Sequence, residues 1–444
     1  MYGGGLSCAK SGAHDMAIAN IGHSGAIVGR AGMQIDRSIS GVDSSYSWMR
    51  LCLALGLGTI GGVGMWSVVV VLPYVQKDFG ISRADAAIAY TLTMLGFGFG
   101  GIIMGRLVDR FGIFQPLVGG ILVMGLGYLA TAHATNIWQF GVAHGLLIGL
   151  LGCSISFGPL MADTSLWFQK RRGLAVAICA SGNYLAGTIW PPVVQHLAEA
   201  YGWRHTYAGI GAFCLVAMLP LALAMRRRSP VMSAAQNAAA VAAQPVSPVS
   251  PQALQVLLAI AGISCCVAMS MPQVHIVAYC ADLGYGPARG AEMLSLMLGF
   301  GIFSRLASGF IADRIGGLKT LLLGTTLQLL ALLLYVPFDG LMSLYVISAL
   351  FGLFQGGIVP SYAIIVREYF PPEEAGMRVG IVLTATLLGM AFGGWCSGVI
   401  FDLTGSYQAA FINGILWNLL NITITLGLIW RVRQVHGMLR PQTA

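Results

Sequence analysis

The stretch GRLVDRFG, residues 105–112, returns as GFIADRIG at residues 309–316. Gly105, Asp109, Arg110 and Gly112 of the first copy match Gly309, Asp313, Arg314 and Gly316 of the second, each 204 residues apart. Both copies stand at the end of a long apolar run, so the chain reads as two halves built to one plan. Near the same offset RRGLAVAI (171–178) and MRVGIVLT (377–384) open later apolar runs. YGWRHTY (201–207) and LTGSYQAAF (403–411) each precede the last run of a half.

Composition says what those runs are. The 444 residues are 57% hydrophobic and 9% charged, with mean hydropathy +0.78, whereas an ordinary soluble domain is about one quarter charged. A membrane-crossing helix needs about 20 mostly apolar residues. Twelve such spans are expected, at 51–72, 84–107, 114–132, 137–161, 173–195, 207–225, 253–275, 290–312, 319–337, 341–365, 378–400 and 408–430. LLLGTTLQLLALLLYV (321–336) is apolar on every side, which suits a packed helix and not the alternating strand of a barrel. The 60 glycines let such helices approach closely. The expected fold is therefore an all-α integral membrane protein of twelve transmembrane helices in two six-helix bundles.

Charge position sets the topology. Nineteen of the 24 Lys and Arg residues fall on the side that holds both termini, four on the other, and Arg305 lies inside a span. The excess of positive charge places both termini in the cytoplasm of a multi-pass inner-membrane protein. The formal charge of +8 is thus an orienting device and not a nucleic-acid surface. Residues 1–50 read as a disordered cytoplasmic tail without a signal peptide, and 226–252, rich in Ala, Pro and Ser, as a cytoplasmic linker. The bundles then cover 51–225 and 253–430, with 431–444 as a second tail. Most of the nine cysteines, among them Cys52, Cys153, Cys179, Cys214, Cys265, Cys266 and Cys396, fall inside spans without paired loop spacing. Neither a disulfide framework nor a metal site is expected.

The doubled Gly-x-x-x-Asp-Arg-x-Gly resembles the signature loop of the major facilitator superfamily, between the second and third helices of each half. The resemblance implies a conformational latch made of Gly105, Asp109, Arg110, Gly112, Gly309, Asp313, Arg314 and Gly316. Physically, an aspartate here can cap the next helix or pair with a neighbouring arginine, and the glycines permit a tight turn. Three further stretches resemble the monocarboxylate porter family, in its bacterial branch alongside the oxalate/formate antiporters. They are GGVGMWSVVVVLPYVQKDFGISRADAA (61–87), SLWFQKRRGLAVAICASGNYLAG (165–187) and PQVHIVAYCADLGYGPARGAEMLSL (272–296). GIFSRLASGFIADRIGG (301–317) supplies the arginine that binds the substrate carboxylate in that family. Many relatives place an aspartate one turn before this arginine and a lysine in the first helix. Gly301 and an apolar residue near Val70 stand there instead, so that proton relay is not carried over.

Elementary physics singles out the same arginine. Eight residues separate Arg305 from Asp313, about 12 Å along a helix, so the guanidinium lies near mid-depth. A central arginine costs about 2.5–3.5 kcal/mol on insertion scales and must face the bundle interior or water. No Asp or Glu falls at that depth in any expected span, which leaves an anionic ligand as counter-ion. His275 and His144 are the titratable groups inside apolar segments and candidates for a coupling proton. Trp66, Asn183, Tyr184, Gln273 and Tyr362 are candidate cavity-lining groups. No Gly-x-x-x-x-Gly-Lys-Ser/Thr loop occurs, and no nucleotide or other cofactor is expected.

The expected activity is secondary active transport of small organic monocarboxylates by alternating access, proton-linked, in a protein that works as a monomer within the lipid bilayer. Exchange of one organic anion, mono- or dicarboxylate, for another is the alternative, and a transporter-like sensor a further one. An enzyme is not expected.

Overall fold

The computed structural model describes residues 42–168, 171–227 and 249–439. Most of the expected tail 1–50 and linker 226–252 lies outside the described residues, as do 440–444. Among the described residues, eleven helices are long and apolar enough to cross a membrane. The expected span 5, 173–195, is the exception. It is helical in two pieces, Arg172–Ala180 and Gly182–Tyr201, but the second carries Asn183, Pro191, Pro192, Gln195 and His196. Numbered with it, the expected spans 1 to 12 appear in order.

Several spans run past their expected limits because polar caps, not apolar content, end a helix. Span 1 starts at Ser45, inside the expected tail, where the Ser44 hydroxyl accepts the Ser47 N–H and Ser47 answers in kind. Span 2 (Arg83–Phe111) is capped by Ser82. Spans 7 and 8 occupy Pro251–Asp282 and Pro287–Ile315, span 11 Pro372–Thr404, and span 12 continues to Leu439.

Four spans are interrupted near mid-depth. Span 1 breaks at Gly62 and span 5 at Ser181. Span 4 passes from α-helix (Ile137–Ala143) through a π-helical stretch (His144–Gly152) and a 3-10 turn (Cys153–Ser156) to Gly158–Leu166. Span 10 is Leu341–Gln355, a Gly356–Gly357 turn, then Ile358–Tyr369. Spans 4 and 10 hold equivalent places in the two halves, so the repeat extends to the breaks. Irregular backbone at such depth is tolerated only where protein or a cavity covers it.

The halves meet along two seams, span 2 against span 11 and span 5 against span 8. Contact is close because side chains are missing where backbones cross. A Cβ on Gly187 of span 5 would collide with the Leu298 side chain of span 8. The repeated loops also turn alike. Gly112 and Gly316 close spans 2 and 8 at φ +77° and +84°, each giving its N–H, at 2.8 Å, to Val108 and Ala312 respectively. A side chain rarely adopts that backbone, which is the physical reason for glycine at both places.

Candidate functional site

Arg305 enters the inter-half seam from span 8 and is 8% exposed. Its Nη1 donates to the Ala180 carbonyl at 3.0 Å and its Nε to the Gly356 carbonyl at 3.5 Å. Those carbonyls lie at the breaks of spans 5 and 10. The guanidinium carbon sits 4.2 Å from the centre of the Tyr184 ring. No carboxylate pairs with Arg305 among the described residues. Carbonyl dipoles and an aromatic face orient a guanidinium, but they carry no net charge. A buried cation is thus held by neutral groups, and its Nη2 makes no hydrogen bond among the described residues.

Gly301 explains why Tyr184 can lie there. A Cβ at Gly301 would overlap Cδ1 and Cε1 of the Tyr184 ring, so the space one turn before Arg305 is filled from span 5. Trp66 (4% exposed) leans on the same part of span 5, its Nε1 donating to the Asn183 carbonyl at 3.1 Å. Gln273 bridges span 7 to span 10 by donating to Gln355 Oε1 at 2.9 Å. Gln355 ends the first half of span 10, next to the Gly356 that holds Arg305. Sequence reasoning missed it, although an apolar helix ending in Gln-Gly-Gly signals a break.

The other candidates lie elsewhere. His144 is buried inside the N-terminal half, Nδ1 2.8 Å from Thr93 Oγ1 and Nε2 3.4 Å from the Tyr207 hydroxyl, with Phe140 stacked on its ring. Tyr362 is buried inside the C-terminal half, where its hydroxyl accepts from Asn421 at 2.6 Å. Neither adjoins Arg305 through a hydrogen bond or ring contact. His275, 2% exposed, sits near the end of span 7, with Nε2 2.8 Å from the Gly394 carbonyl and Nδ1 3.2 Å from the Tyr407 hydroxyl.

At the end where the termini lie, the repeated loops present Arg110, Asp313 and Arg314 as exposed groups, and Gly105 and Gly309 meet no neighbour. The side chain of Asp109 lies outside the described residues. The start of span 9 is held by Glu368 of span 10, whose carboxylate accepts the Gly317 N–H at 2.9 and 3.2 Å, and not by Asp313. Also unanticipated is a buried pair between Arg50 of span 1 and Asp163 of span 4, 1% and 2% exposed, at 2.8 Å. Both residues read from sequence as charges at helix ends.

The sequence matches the family described as Major Facilitator Superfamily over residues 54–343 and again over 293–444. Monocarboxylate transporter 13 of Bos taurus is 27% identical over 385 residues, covering 83% of this chain and 86% of that protein. The Agnestins efflux protein AgnL12 of Paecilomyces divaricatus is 26% identical over 363 residues, 80% of each. In three dimensions the chain resembles the peptide transporter POT crystallised with sulfate, with TM-score 0.68 and 13% identity over 87% of this chain and 94% of that one. That likeness concerns the fold.

Proposed function

Because the chain belongs to the Major Facilitator Superfamily, we propose that it carries small organic monocarboxylates across the inner membrane by alternating access, coupled to protons. The observation that carries this reading is Arg305, a buried guanidinium without a carboxylate partner among the described residues. It cannot shed its proton, and its planar fork matches a carboxylate at two points. A monocarboxylate neutralises it with one group. The name of the Bos taurus relative favours the same substrate class. Tyr184 fixes the plane of the fork, Trp66 and Asn183 continue the wall along span 5, and Gln273 with Gln355 offers neutral polar atoms from spans 7 and 10.

Residues 51–225 and 253–430 are the two bodies that rock about this arginine, the linker 226–252 and both termini being cytoplasmic. Support for that orientation is the uneven split of Lys and Arg. The repeated loops act as the latch on the terminus side, a role favoured by the matched turns at Gly112 and Gly316. One experiment tests the substrate reading. A panel of labelled mono- and dicarboxylates is followed by counterflow into proteoliposomes, with and without an imposed pH gradient, for wild type and Arg305→Lys. Monocarboxylates should exchange in wild type, accumulate with the gradient, and fail in Arg305→Lys at equal protein content. Exchange that survives the substitution removes Arg305 from the site; gradient-independent exchange of paired anions makes the protein an antiporter.

A further inference from the structure

The end of the bundle opposite the termini is closed by a network that crosses the seam between the halves. The Asp402 carboxylate, from span 11, accepts the backbone N–H groups of Arg83 (3.1 Å) and Ala84 (2.8 Å), the first residues of span 2. A carboxylate at a helix N-terminus satisfies donors that the helix leaves open and complements its dipole. The Arg83 side chain reaches back across the seam. Its Nη2 donates to Asp282 of span 7 at 2.6 Å, its Nη1 to the Tyr407 hydroxyl at 2.6 Å, and its guanidinium lies 4.5 Å from the centre of the Phe401 ring.

Tyr407 connects this closure to His275. The Gly394 carbonyl can only accept, so Nε2 of His275 carries the hydrogen in that 2.8 Å bond. In the neutral ring Nδ1 is then an acceptor, and the Tyr407 hydroxyl, already accepting from Arg83, donates to it at 3.2 Å. Each hydrogen in the chain Arg83–Tyr407–His275–Gly394 has one direction. We infer that His275 is a positioning residue for this closure: neutral, it orders Tyr407 and through it Arg83; protonated, it releases them.

The release follows from hydrogen-bond chemistry. A proton arriving at Nδ1 turns an acceptor into a donor facing the Tyr407 hydroxyl. Tyr407 must rotate its hydrogen away and share one oxygen between two cations. Burial is the largest influence on the ring and opposes an added charge; of the charged groups, Arg83 of span 2 opposes it too, and Asp402 of span 11 and Asp282 of its own span favour it. Tyr407 is the titratable group in direct contact, with Tyr279 packed on its other side. Buried at 2% exposure, the ring resists a charge while the network is closed. Once the network opens and water reaches the ring it takes a proton as an ordinary imidazole does, so protons favour the open form, in which the imidazolium competes with Arg83 for both carboxylates. Proton entry from this side and opening of this side become one event. The inference rests on the transport reading above and supplies the site of its coupling proton.

The N–H groups of Arg83 and Ala84 report the closure directly, since both are bonded only while Asp402 is in place. Hydrogen–deuterium exchange of the full-length protein in nanodiscs, read on peptides covering 81–88 and 398–408, is compared between wild type and His275→Gln at pH 5 and pH 8, on either side of an ordinary imidazole. Glutamine can donate to Gly394 and accept from Tyr407 but takes no proton. Comparison at equal pH cancels the intrinsic exchange rate. Wild type should exchange several-fold faster than His275→Gln at pH 5 and equally at pH 8. Tyr407→Phe, which cuts the relay, should exchange fast at both. Equal exchange of wild type and His275→Gln at pH 5, or the same difference at both values, overturns the inference, as does a Tyr407→Phe protein that stays protected. No substrate is present, so this outcome is independent of carboxylate binding at Arg305.

Discussion

Asp163→Asn should destabilise the N-terminal half by roughly 3 kcal/mol, toward the lower end of the 3–5 kcal/mol typical when one partner of a buried ion pair is removed. The pair is two-pronged, Arg50 Nε to Oδ2 at 2.8 Å and Nη2 to Oδ1 at 3.0 Å, and almost sealed from solvent. What keeps the cost from the upper end is the rest of the Arg50 environment. Nη1 donates to the carbonyls of Met225 (3.2 Å) and Arg227 (3.0 Å), and the guanidinium lies 4.8 Å from the Trp167 ring centre. Those contacts survive the substitution and continue to solvate the charge. Reversible unfolding in mixed SDS and detergent micelles, followed by tryptophan fluorescence, gives the difference. Because the cost comes from a stranded charge and not a lost attraction, Arg50→Met combined with Asp163→Leu should be more stable than Asp163→Asn alone. A loss under about 1 kcal/mol for Asp163→Asn, or a double variant worse than either single one, would refute the reasoning. Carboxylate binding should be unchanged throughout, since the pair joins spans 1 and 4 within one half.

Gly301→Ala should push the Tyr184 ring off Arg305 and weaken carboxylate-induced thermal stabilisation several-fold at unchanged expression; full retention would show that the ring is a bystander. Asp109→Asn and Asp313→Asn should slow counterflow more than they weaken equilibrium binding, and abolished binding in a folded protein would assign these residues to the ligand site instead. Reporter fusions after Ala444 and within 231–250 should both read cytoplasm, a periplasmic signal from either reversing the proposed orientation.

Span number and repeat could be read from the sequence because lipid imposes a coarse rule on composition and the loop motif recurs at a fixed offset. The burial of Arg305 was equally readable, since depth follows from counting residues back to Asp313. Partnership was not. In a helix apolar on all sides no periodicity shows which face meets protein, so Arg50 and Asp163, 113 residues apart, looked like independent interfacial charges. His144 and Tyr362 carried the same ambiguity and lie within separate halves. For His275 the clue was present: it stands only seven positions before Asp282, about 10 Å of helix, which places it toward the closed end. Span 5 fell short as an apolar helix through Asn183, Pro191, Pro192, Gln195 and His196, on the segment that also brings Tyr184 onto the arginine.

Asp402 grips span 2 by its main chain, and this shapes how the protein can vary. A main-chain N–H is supplied by every amino acid except proline, so exchanges at position 84 leave that bond chemically intact. The acceptor has no such latitude, since only an acidic side chain at position 402 brings both oxygens and the charge. Random mutagenesis with selection for growth should therefore return a lopsided record, permissive at position 84 apart from proline and restrictive at position 402.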